Sequence, residues 1–166
     1  SHPVVNSLIL HHLGHGDIAV KPDIERFEGQ TVHFKGGGQQ DYDLVLAATG
    51  YKLHYPFIAP ELLNWQGMAP RLYLNIFPPL FDNLAVMGMI EASGIGWQGR
   101  YEQGELIARV FKNQGTEKGR AFEAAKLGPP PDLSGGYKYL KLERMAYYVH
   151  KDTYRSAVRA ASRALE

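Results

Sequence analysis

The chain has 166 residues, of which 45% are hydrophobic and 21% charged, the proportions of an ordinary globular domain able to bury a core. Its formal net charge is +1 with no basic run, so nucleic-acid binding has no electrostatic support, and no apolar stretch reaches the length of a membrane-spanning helix. Cysteine is absent, which excludes disulfides, thiolate metal sites and cysteine nucleophiles.

No signal-peptide pattern opens the chain, and the cytoplasm is the default expectation. The first residues are Ser1-His2-Pro3 with no methionine, so a piece of a longer protein is expected. Residues 3–13 place Val4, Leu8 and Leu13 at loosely helical spacing before Gly14, which predicts a short helix. His11, His12 and His15 cluster at its end. Imidazoles are common metal ligands, but no pattern such as H-E-x-x-H accompanies them. Histidines also suit the negative end of a helix dipole, and no metal site is assigned.

Residues 17–27 and 31–35 alternate apolar and polar positions, with Ile18 and Val20 on one face and Val32 and Phe34 on another. Glu28-Gly29-Gln30 supplies a turn between them, which predicts a β-meander, and Pro22 marks an edge or a break. Gly36-Gly37-Gly38 forms a second turn. It is no phosphate loop, because no Lys-Ser/Thr follows. The apolar run 42–47 then reads as a strand buried on both faces, as in a parallel sheet, and it ends in Ala48-Thr49-Gly50-Tyr51. Small residues at the carboxyl end of such a strand let the backbone approach a flat ligand, and Gly50 can adopt a φ that other residues avoid.

Residues 51–79 hold many aromatics and prolines. They either line a pocket or form a packed excursion, with 71–76 alternating like a strand. Residues 83–90 read as a second buried strand, expected beside 44–47, with Gly88 near its end. The glycine-rich stretch 93–99 enters a helix over 101–111, with Leu106, Ile107 and Val110 on one side and Glu102, Glu105 and Arg109 available to solvent. Such an entry exposes unpaired N–H groups at the positive dipole end, or is a flexible loop before an ordinary amphipathic helix. Residues 113–136 look like a linker with a short helix at 121–126. Residues 137–166 resume helical spacing, with Ala157, Val158, Ala161 and Leu165 as an apolar strip and Arg155, Arg159 and Arg163 as a charged one.

The order G-D-I-A-V-K-P-D-I-E-R-F-E, T-V-H-F-K-G-G-G, D-x-x-L-A-A-T-G-Y and Y-P-F-I resembles the flavin-containing monooxygenases and their bacterial relatives over roughly residues 16–112. The resemblance implies an α/β fold. Residues 1–112 would be the C-terminal portion of a Rossmann-like FAD-binding domain with a β-meander, followed by the linker and a helical tail. It implies cofactor-binding roles for Ala48, Thr49, Gly50, Tyr51, Gly88, Trp97, Gln98 and Gly99. Residues 97–99 would lie at the helix start that faces the flavin pyrimidine edge. Met89 stands where many flavoproteins of the wider fold carry an aspartate, a departure that favours the monooxygenase branch. The missing cysteine pair separates the chain from the disulfide reductases.

FAD and NADP are the implied cofactors. The implied chemistry is NADPH-driven oxygenation of a soft nitrogen or sulfur nucleophile, or of a ketone. Gly94–Gly99 has the G-x-G-x-x-G spacing, but it and the G-G-G at 36–38 have the wrong flanks for a nucleotide-phosphate loop, so neither such loop of the family is expected here. The isolated chain is therefore expected to be inactive and to hold FAD weakly, and no catalytic residue is nominated. With sheet edges and apolar area uncovered, a homo-oligomer is expected. The other reading is a cofactor-free interaction or structural domain derived from the same fold.

Overall fold

The computed structural model describes residues 7–50 and 52–166. Two compact units divide the chain, Ser1–Tyr51 and Lys52–Glu166.

The first unit opens with helix α1, Leu8–His15, none of whose residues is buried. The start of the expected helix lies outside the described residues. Gly14 stays helical rather than stopping the turn, and the left-handed cap is Gly16, at φ 79°. A three-stranded antiparallel meander follows: β1 (Ile24–Glu28), β2 (Thr31–Phe34) and β3 (Gln39–Asp41). Glu28 pairs with Thr31 across Gly29-Gln30, and Gly29 has the positive φ, 61°, that a two-residue hairpin turn asks of its first position. The first expected strand is thus confined to its last residues, and a register irregularity falls between Ile24 and Arg26. The glycine triplet makes the second turn, as expected.

The third strand is not the one predicted. It falls on polar Gln39–Asp41, because the antiparallel register places Asp41 opposite Thr31, where β2 begins. One further bond, Tyr42 N–H to the Gln30 carbonyl, closes the ladder. Residues 44–47 run past the end of β2 with no strand to pair with among the described residues, and Leu44 and Leu46 are about four-fifths exposed.

The second unit is built on helix α2 (Gly96–Lys112) packed against helix α4 (Lys151–Ala164), with helix α3 (Glu117–Leu127) between them in sequence. Thr116 caps α3 by accepting the Gly119 N–H through its hydroxyl. Leu106 and Val110 of α2 meet Tyr154, Val158 and Leu165 in a core that also takes in Leu74, Ile76, Phe77, Ile90 and Phe122. The apolar strip predicted for the tail is therefore a packing face, with Ala157 and Ala161 partly buried beside it. The same unit holds a two-stranded ladder, β4 (Trp65–Gln66) with β5 (Ala69–Pro70), and three short 3-10 turns at Pro60–Leu63, Lys138–Lys141 and Glu143–Met145.

Two further predicted strands differ. Residues 71–76 turn back on themselves: Tyr73 bridges Phe77, and Leu74 and Asn75 both adopt left-handed φ, 54° and 55°. Residues 83–90 form no ladder. Met89 and Ile90 are buried while Met87 is 63% exposed, so burial is confined to the end of the run. Its backbone is held by Val86 N–H to the Ile76 carbonyl and by Gly88 N–H to the Gln103 side chain, before a parallel bridge between Glu91 and Tyr148. Helices with small sheets agree with an α/β chain, and every ladder between the named strands is antiparallel. Among the described residues, no helix is long and apolar enough to cross a membrane.

Candidate functional site

Of the sequence-predicted site residues, Ala48, Thr49 and Gly50 belong to the first unit and are exposed. Gly50 has φ 87°, and a Cβ built there meets no atom within 4 Å. The glycine is thus required by backbone conformation and leaves an open approach to the chain. Tyr51 lies outside the described residues.

Gly88, Trp97, Gln98 and Gly99 belong to the second unit, and two of them share a surface. Gly88 and Trp97 line a shallow depression with Met87, Arg100, Tyr101 and Gly104. Gly88 sits at φ 91° with open space where a Cβ would go. Its N–H donates to Gln103 Oε1 at 2.9 Å, so a buried side chain of α2 holds the glycine in place. Trp97 is 86% exposed, and the Arg100 guanidinium lies 5.9 Å from its ring centre. Gln98 Nε2 reaches Glu102 Oε1 at 3.4 Å. Gly99 faces inward: a Cβ there would lie 2.5 Å from Ile95 Cγ1, so its smallness serves packing beneath the helix start.

The N-terminus of α2 has no side-chain cap and no acid in its first turn. Its first N–H groups and the positive end of its dipole therefore have no anionic side chain from the helix itself. An apolar floor beside such a helix end suits a flat aromatic ring whose edge carries partial negative charge.

Beneath this surface lies a polar network that the sequence reading missed. Glu102 was expected in solvent. It is instead buried, 2.6 Å from Arg155 Nη2, 3.1 Å from Arg155 Nε and 2.7 Å from Arg159 Nη2. The hydrogen bond from Arg155 is the main reason its carboxyl is held down at about 2, against desolvation, which raises it. Gln103, fully buried, donates to the Tyr154 hydroxyl at 2.6 Å, which in turn donates to the Leu74 carbonyl at 3.0 Å. Burial pushes the Tyr154 phenol well above its ordinary range. The legible signal was spacing: 102, 106 and 110 lie on one helical face, as do 103, 106 and 110.

The three histidines have ordinary roles. His12 Nδ1 is 2.9 Å from Asp17 Oδ2, and His15 Nδ1 is 2.8 Å from the His11 carbonyl. Among the described residues, no group of three or more His, Asp or Glu is placed to hold a metal ion.

The flavin-binding monooxygenase-like family model matches residues 1–119. The chain belongs to this family. Flavin-containing monooxygenase 5 of Rattus norvegicus is 30% identical over 114 residues, 67% of this chain and 21% of the relative. Dimethylaniline monooxygenase (N-oxide-forming) 2 of Rattus norvegicus is 31% identical over 113 residues, 66% of this chain and 21% of the relative. Flavin-containing monooxygenase 5 of Cavia porcellus is 30% identical over 118 residues, 69% and 22% respectively. The chain thus spans about a fifth of the length of these relatives. No solved structure matches it. The family implies a flavin cofactor. The open Gly88, the exposed Trp97 and the uncapped start of α2 fit the ring end of a flavin. Gly94–Gly99 has the G-x-G-x-x-G spacing of a pyrophosphate loop, but among the described residues no strand leads into it, as that motif requires.

Proposed function

We propose that this chain is the C-terminal portion of a Rossmann-like FAD-binding domain in a flavin-dependent monooxygenase. The parent enzyme would use FAD, NADPH and dioxygen to oxygenate a soft nitrogen or sulfur nucleophile or a ketone. The observation that carries this reading is the family match over residues 1–119, with Gly88 and Trp97 lining one depression along the first turns of α2 inside it. When bound, the flavin supplies the redox chemistry. The chain's own part is to hold the ring edge: Trp97 and Met87 offer apolar area, Gly88 a close backbone, and the first turn of α2 its N–H groups. The pyrophosphate and NADPH loops would come from sequence outside this chain, and on that reading the isolated chain has no monooxygenase activity.

Flavin titration tests this. If only the ring end is held, lumiflavin and FAD bind the 166-residue chain weakly and with similar affinity. Both quench Trp97 fluorescence, and Trp97→Ala removes the effect. A yellow preparation with stoichiometric, tightly held FAD would contradict the division of labour. No interaction with either flavin, or equal quenching after Trp97→Ala, would remove the ring-edge assignment and favour a cofactor-free domain derived from the fold.

A further inference from the structure

A cleft of about 470 Å³ opens in the second unit between residues 64–79 and 126–149. Its far wall lies beyond the family-matched residues 1–119, so the flavin reading does not account for it. Most charged side chains around it are already matched. Lys126, whose side chain is 1% exposed, pairs with Glu123 and donates to the Phe81 carbonyl. Lys141 donates to Asp132 Oδ2 at 2.8 Å, and Asp132 also accepts the Ser134 N–H. These contacts, Lys141 first, hold the Asp132 carboxyl well below its usual range.

Arg71 is different. Its backbone is tied to Asn64 in both directions, by N–H to the Asn64 carbonyl and by the Asn64 carboxamide to its own carbonyl. Its guanidinium has no hydrogen bond or ion pair among the described residues. A few residues on, the lining passes through Leu74 and Asn75, both at positive φ and both under a tenth exposed. Left-handed leucine is uncommon and costly, and such positions gather at ligand clamps. The lining mixes polar side chains, Asn64, Gln66 and Ser134 among them, with an aliphatic part made by Leu72, Leu133, Leu140 and Val149.

We propose that this cleft binds a small carboxylate with an apolar body. The planar guanidinium of Arg71 matches a carboxylate in geometry and charge. The aliphatic lining takes the body, in a volume ordinary for small-molecule sites. One uncompensated positive charge suits one negative charge. A phosphate dianion would bring a second charge that the lining does not match, with Asp132 on the far wall. The inference is independent of flavin binding, since none of its residues lines the Gly88–Trp97 depression.

The test is calorimetric titration of the 166-residue chain with sodium octanoate, 1-octanol and inorganic phosphate. Octanoate should bind saturably, one molecule per chain, and about tenfold or more tightly than octanol, the difference a charge-assisted bond makes. Phosphate should give no saturable heat. Arg71→Gln should reduce octanoate affinity to that of octanol. Its circular dichroism and urea midpoint should be unchanged, because Arg71 is exposed and its guanidinium has no partner among the described residues to lose. Arg163→Gln, on the exposed side of α4 and outside the lining, should bind octanoate as the parent does. The proposal is overturned if millimolar octanoate gives no saturable binding, or if octanol or phosphate binds as well. It is equally overturned if Arg71→Gln retains full affinity, or if Arg163→Gln loses as much.

Discussion

Replacing Glu102 with glutamine removes one charge and keeps the shape. In the folded chain the carboxylate meets two guanidinium groups at 2.6 and 2.7 Å, with its own side chain only 10% exposed. Its pKa falls from 4.5 to about 2, and at about 1.4 kcal/mol per pKa unit the ionised form contributes about 3 kcal/mol to stability. Arg159 is half in solvent, which screens its share, so Glu102→Gln should cost about 2–3 kcal/mol at pH 7. Because the folded pKa is the depressed one, this stability is fully present above the unfolded value near 4.5 and is lost as pH falls towards about 2. Urea unfolding followed by tryptophan fluorescence is the assay, since both tryptophans lie in the second unit. Parent and variant should differ strongly at neutral pH and converge as the carboxylate protonates. A difference that stays constant from pH 7 to pH 2.5, or one below about 0.5 kcal/mol at pH 7, would refute the argument and class the cluster with ordinary surface ion pairs.

Other outcomes follow from the same geometry. Tyr154→Phe strands the Leu74 carbonyl and one Gln103 donor in the core and should cost about 1–3 kcal/mol by urea titration, with Tyr101→Phe, an exposed control, near zero. Gly50→Ala has room for its methyl but not the backbone conformation, and should destabilise the first unit by about 1–2 kcal/mol, measured by hydrogen exchange in β1–β3; an unchanged exchange pattern would remove the strain argument. Sedimentation should show self-association at high concentration, weakened by Leu44→Lys and Leu46→Lys together if the exposed run of the first unit is the contact; a monomer throughout would rule the oligomer out.

What could be read from the sequence depended on whether the signal was local. The turns at Gly29 and Gly36–Gly38 carry their own conformational requirement, so the meander was legible around them. The helices at 96–112 and 151–164 were legible from apolar spacing. The run 44–47 has the composition of a buried strand, but a strand also needs a neighbour at hydrogen-bonding distance, and the register of β2 leaves none in the unit. Residues 71–76 alternate as a strand does, and nothing in Leu74-Asn75 announces two left-handed residues in succession. Glu102 was assigned to solvent by its charge alone, although it stands one turn before Leu106; the two arginines that make its burial tolerable lie some fifty residues later. The flavin-side residues were reached through family resemblance, and the inward role of Gly99 was visible only once Ile95 was seen beneath it.

Synthesis from the amino terminus gives the Gly88–Gln103–Tyr154–Leu74 chain of hydrogen bonds a direction in time. Leu74, Gly88 and Gln103 are made first, and the hydroxyl that joins Gln103 to Leu74 arrives 51 residues after Gln103 and 80 after Leu74. Until α4 leaves the ribosome, the amide nitrogen of Gln103 and the carbonyl of Leu74 lack the Tyr154 hydroxyl and the carboxylate of Glu102 lacks both arginines, so water takes those places and the core around them stays wet. Closing it is the work of the last helix, whose axial position is set by bond lengths rather than by the more forgiving fit of aliphatic side chains. A chain halted before Tyr154 would keep most of its apolar residues and still lack the step that dries them.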